Sequence, residues 1–163
     1  KRKKKKHRNR CFFCNMELLK KIANNFIALD SKEILFRTVS NNPQLEKLAI
    51  KLNQDRQLKF GLTADGDYLG DYSKTSVEVY GKEPGPIQLY DGGDFYKSFQ
   101  VILLDDGFLI DADGMKTDES GQTTNLFTKY GQDITGLNDE NLTIFIAALR
   151  PKIVDAIIRR IFL

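Results

Sequence analysis

Apolar residues fall at two different spacings along this chain, and the change comes near residue 99. Leu18, Leu19, Ile22, Phe26 and Leu29 recur at steps of three and four, which predicts a helix over 17–29. Asp30-Ser31 can end it and cap the next segment, 32–39, whose short pattern suits a helix or a strand equally. Asn42 then reads as an N-cap with Pro43 at the first helical position. Leu45, Leu48, Ala49 and Leu52 give that helix its stripe, and Gly61 closes it as a left-handed cap after about Phe60. A Gly- and Asp-rich loop fills 63–71. Residues 72–80 again suit a short helix or a strand, and the Pro- and Gly-rich run 81–86 reads as an exposed connection.

The stretch 89–99 is the joint. Gly92 and Gly93 permit a tight turn, and Asp91 is placed to cap a short helix whose Phe95 and Phe99 share one face. Phe99 to Leu104 is apolar and β-prone, Asp105-Asp106-Gly107 signals a hairpin turn, and Phe108 to Ile110 returns. Leu126, Phe127 and Tyr130 predict a short helical turn. Asn138 reads as the N-cap of a last helix, with Asp139 and Glu140 favoured by its dipole. Leu142, Phe145, Ile146, Leu149, Ile153, Ile157 and Ile161 carry that helix to the last residue, and Pro151 is expected to kink or split it. Ile144, Ile158 and Phe162 widen its apolar face. That width fits contact with both its own sheet and a neighbouring subunit, or burial on both sides within one chain. The pattern as a whole predicts an α+β fold: a small antiparallel sheet with a β-hairpin, packed against N-terminal helices and a long, Pro-kinked C-terminal helix.

With 163 residues, 41% hydrophobic and 29% charged, the chain suits one globular domain with a substantial core. It has no apolar run of about 18 residues or more, so no transmembrane helix is expected, and no signal peptide is legible. The protein is accordingly expected to stay in the compartment where it is made. The net charge of +3 hides an asymmetry. Residues 1–10 hold eight of the 25 Lys and Arg, leaving 17 against 22 acidic residues, a net of −5 for the rest. Residues 1–15 read as a basic, self-repelling leader and 16–163 as the domain. Lys3, Lys4, Lys5, Lys6, Arg8 and Arg10 could neutralise nucleic-acid phosphates as an electrostatic arm. Alternatively Met16, followed by Glu17-Leu18-Leu19, reads as a protein start, which would place the leader outside the working domain.

Candidate chemistry is sparse. Cys11 and Cys14 have only His7 nearby as a third zinc ligand and lack a βαβ context for redox work. The Asp65–Asp67 loop lacks the further ligands of a calcium loop, and Met115 stands where the Asp111–Asp113 cluster needs an oxygen. The single histidine lies in the leader, and no phosphate-binding or dinucleotide motif is present. Asp105 and Asp106 are a turn pair. The reading is of a non-enzymatic protein with no catalytic residue, no cofactor and no metal.

The order of the pieces resembles the phage virion-morphogenesis or tail-completion family, small neck proteins of tailed bacteriophages. Tyr72-Ser73-Lys74-Thr75 stands where that family has its "sp-x-t" segment. Leu89, Gly93, Phe95, Ser98 and Phe99 match its Leu-x-x-Thr-Gly-x-Leu/Phe-x-x-Ser-Ile/Phe box, with Gly92 in the place of the usual Thr. Gly136, Leu137, Glu140 and Leu142 match the segment that opens its final helix. The likeness covers roughly residues 17–163. It implies a homo-oligomeric ring at the head–tail junction or the tail end of a virion, assembled in the host cytoplasm beside other neck and tail proteins. DNA would cross the lumen without sequence-specific binding, and no membrane would be involved. An acidic body fits such a lumen, because it does not hold phosphates. The competing reading is a nucleic-acid-binding module acting through the basic arm.

Overall fold

Asp30 ends one helix and starts another: its carboxylate accepts from the backbone N–H of Lys32 at 2.9 Å and of Glu33 at 3.3 Å. The computed structural model describes residues 6–104, 107–117 and 121–162, with 6–16 as backbone. Helix α1 spans Lys6–Ile27, α2 Ser31–Ser40 and α3 Pro43–Arg56, followed by a 3₁₀ turn at Leu58–Phe60. The ambiguous 32–39 segment is thus helical. The expected leader is corrected in part, since α1 reaches back to Lys6; Lys and Arg are good helix formers even where like charges repel. Lys3, Lys4 and Lys5 lie outside the described residues, as do the side chains of Lys6, Arg8 and Arg10. Gly61 does close the α3 region in the left-handed conformation, φ 67°. Asn42 holds the N-cap position, but its Nδ2 donates backwards to the Thr38 carbonyl at 2.6 Å instead of its oxygen capping α3.

Helix α4, Lys74–Glu78, is capped by Ser73, whose Oγ accepts from Ser76 N at 3.1 Å. Helix α5 is the short Asp94–Lys97 turn. Strands β1, Gln100–Leu104, and β2, Gly107–Asp111, form the expected antiparallel hairpin, with Ile102 opposite Leu109. Its Asp105-Asp106 turn lies outside the described residues. A second antiparallel pair, β3 Met115–Thr117 and β4 Thr123–Asn125, was not legible in the sequence. Helix α6, Leu126–Tyr130, a 3₁₀ turn at Gln132–Ile134 and α7, Asp139–Phe162, complete the chain. Among the described residues the molecule is α+β, with seven helices and two two-stranded sheets.

Pro151 does not split α7, which runs through it as one helix. The two halves serve different neighbours. Phe145, 1% exposed, packs its ring 4.9 Å from Phe108 of β2, and Asn141 reaches the Leu52 carbonyl of α3. Beyond Pro151, Arg160 lies 3.6 Å from Glu33 of α2, and the Ile161 carbonyl accepts from Asn25 of α1 at 3.0 Å. The core therefore sits between α2, α3, the inner face of the hairpin and the first half of α7, with Val39, Ala49, Leu52, Ile110, Phe145 and Leu149 buried together. Full burial of a side chain such as Phe145 contributes about 1.5–3 kcal/mol.

Candidate functional site

The 89–99 box is built by turn chemistry and then locked to the rest of the fold. Gly93, at φ 80°, is the N-cap of α5, and a Cβ there would come within 3.1 Å of the Tyr90 hydroxyl. Asp91 does not cap this helix, contrary to expectation. Its carboxylate instead accepts from Lys82 at 2.9 Å and from Lys116 of β3. The hydrogen bonds from Lys116 and then Lys82 lower its pKa to about 2. Leu89 is buried with φ 54°, the one non-glycine residue with positive φ among those described. Phe95 and Phe99 are buried with ring centroids 5.1 Å apart, although Phe99 lies beyond the end of α5. Ser98 Oγ donates to the Phe95 carbonyl at 2.7 Å and accepts from Asp113 N at 2.9 Å, tying the box to the hairpin exit. Tyr96 Oη donates to the Gln88 carbonyl at 2.7 Å, and burial raises its pKa.

The second motif segment, 136–142, is held from α3. Asn53 Nδ2 and Gln57 Nε2 donate to the Gly136 carbonyl at 2.8 and 3.3 Å. Gln57 Oε1 accepts from Asn138 N and from Asn141 Nδ2, both at 2.9 Å. Asn138 Oδ1 caps α7 by accepting from Asn141 N at 3.0 Å, as its sequence position suggested. Leu137 packs partly buried against the core, Glu140 pairs with Arg56 at the surface, and Leu142 is exposed. One turn away on α3, Gln54 Nε2 donates to the Tyr96 carbonyl at 2.7 Å. Asn53, Gln54 and Gln57 thus hold both motif segments from the last two turns of one helix. Sequence reasoning passed over them, although Asn53 continues the apolar stripe at four residues from Ala49 and is fully buried. An amide on such a stripe signals a buried polar clamp.

This assembly organises backbone and contains no chemical centre. Among the described residues no three His, Cys, Asp or Glu side chains could hold a metal ion, and no helix is long and apolar enough to cross a membrane. A shallow cleft between the 64–66 loop and the first turn of α7 is lined by Asp65, Asp139 and Glu140. An open groove of about 600 Å³ between α2 and the second half of α7 is lined by Glu33, Arg37, Lys152, Asp155, Arg159 and Arg160, with most of its acid already paired.

The surface is where this molecule departs from an ordinary monomer. Along α7, Leu142, Ile146, Val154, Ile158 and Phe162 stand exposed, interrupted by Arg150. Along α1, Ile22, Asn25 and Leu29 are the half-buried positions, whereas Leu19, Phe26 and Ile27 form a separate exposed stripe, 63, 62 and 82% accessible. On the hairpin, Ile102, Leu104 and Leu109 point away from the core. No family model matches this chain, and neither a curated protein nor a solved structure matches it.

Proposed function

We propose that this chain is a structural subunit that self-assembles into a ring, and that the ring serves the head–tail neck or the tail end of a tailed bacteriophage. The observation that carries the assembly half of this reading is the set of separate apolar faces on α1, α7 and the hairpin. Scattered exposed apolar residues are normal, but faces aligned along two helices and a sheet mark interaction sites. Several distinct faces on one subunit suit head-to-tail contacts, and these close into rings when the rotation allows. The phage half rests on the order of the sequence motifs, which the fold treats as architecture: both motif segments are gripped by α3. The acidic body beyond residue 10 suits a passage that lets DNA slide.

The test is particle mass and negative-stain imaging of the purified chain. Discrete rings of one copy number are the expected outcome, and a monomer up to the solubility limit sinks the reading. Removing residues 1–15 separates it from the nucleic-acid arm. Rings should persist without them, whereas an arm-based DNA-binding module would lose its DNA affinity.

A further inference from the structure

Helix α1 is attached to its own chain near one end. Asn25 Nδ2 holds the Ile161 carbonyl, and α7 is the element that α1 packs against. At 22 residues α1 is about 33 Å long, far more than that contact covers. The exposed stripe of Leu19, Ala23, Phe26 and Ile27 follows i, i+4, i+7, i+8 spacing and faces away from the residues that meet α7. The outward face of the hairpin is its counterpart in shape. Gln100, Ile102 and Leu104 on β1 alternate outward with Leu109 and Asp111 on β2, while Ile110 is buried on the other side. Five residues of strand span about 13 Å, and Leu19 to Ile27 along a helix about 12 Å.

Charge selects between the ways of covering these faces. Helix α1 carries five Lys or Arg against Glu17 as its single acid. The segment 98–114 has four Asp and no Lys or Arg. The second half of α7 is itself basic, with Lys152, Arg159 and Arg160 against Asp155. Two copies pairing α1 and α7 about a two-fold axis would oppose like charges, whereas α1 against a hairpin opposes unlike ones. We propose that α1 of one copy lies across the outward face of the β1–β2 hairpin of the next. This rests on the self-assembling reading above and names its two surfaces. The contact is heterologous, so it repeats from subunit to subunit.

The test uses the full chain with Cys11→Ser and Cys14→Ser as background. Chains carrying Leu19→Cys are mixed with chains carrying Leu109→Cys and mildly oxidised. A disulfide dimer of the two unlike chains is expected, and Ile146→Cys in place of Leu109→Cys should give none. In parallel, Lys20→Glu with Lys21→Glu, and separately Asp111→Lys, should each weaken self-association roughly tenfold by sedimentation velocity. Mixing those two variants should restore it, because each then offers the other a complementary face. All these positions are exposed or half-exposed, so an unchanged melting temperature and circular dichroism establish that the variants fold. Assembly indifferent to the charge reversals, or cross-linking to position 146 as readily as to 109, overturns this contact and leaves the ring reading standing. A chain that stays monomeric overturns both.

Discussion

Asp91 concentrates the ion pairing of the box, since Lys82 and Lys116 meet on one carboxylate. Its pKa, about 2, lies below that of the unfolded chain, so its contribution is complete above about pH 4 and lost as pH falls through 2. The side chain is about half exposed, which limits each pair to roughly 0.2–1 kcal/mol. Asp91→Asn should therefore lower stability by about 1 kcal/mol at pH 7, and the difference from the parent should vanish by about pH 2 in denaturant titrations. The importance of this residue was legible in the sequence, but its role was not. A capping residue declares itself through its neighbours, whereas Lys82 and Lys116 lie 9 and 25 positions away and nothing local marks them. Leu89 offers a second test. In ordinary backbone Gly is less stable than Ala, but at φ 54° an L side chain costs roughly 1–2 kcal/mol. Both Leu89→Ala and Leu89→Gly lose the buried side chain, and the glycine variant should be the more stable by about 1 kcal/mol in thermal or urea unfolding.

At the scale of elements, helices with a strong apolar period were readable and short polar strands were not. The stripes of α3 and α7 announce them, as Pro43 and Asn138 announce their starts. Strands β3 and β4 are three residues each, Met-Lys-Thr and Thr-Thr-Asn, with no alternation of apolar and polar positions to betray them. Their pairing depends on backbone bonding that Leu126 N extends by donating to the Gly114 carbonyl at 2.8 Å. The α3 clamp was equally hidden, because long-range amide contacts leave no period. It yields a sharp prediction for one side chain. Gln57→Leu keeps the volume of a fully buried site but strands Asn138 N and removes one partner each from Asn141 and Gly136. An orphaned buried donor costs about 1–3 kcal/mol, so this variant should lose about 2 kcal/mol with its denaturant slope unchanged.

For the whole molecule, the quantity that sequence could not supply is which apolar residues remain outside. Leu19 and Leu45 are the same residue on equally periodic helices, yet one is 63% exposed and the other 4%. Only the packing of the elements against one another decides that. If the charge pattern steers subunits together, the association rate should fall steeply as salt rises from low to physiological concentration, while dissociation changes little; stopped-flow light scattering reads both. The bond from Asn25 to the Ile161 carbonyl joins residues 136 positions apart. On a ribosome adding 5–20 residues per second, Asn25 waits roughly 7–27 s for that partner to be made. The hairpin is synthesised well within that interval, so the α1–α7 lock is among the last tertiary contacts that can form. The order of synthesis thereby acts as a timer: a subunit acquires the anchored form of α1 only after the rest of its fold exists, which favours recruitment of finished subunits over nascent chains.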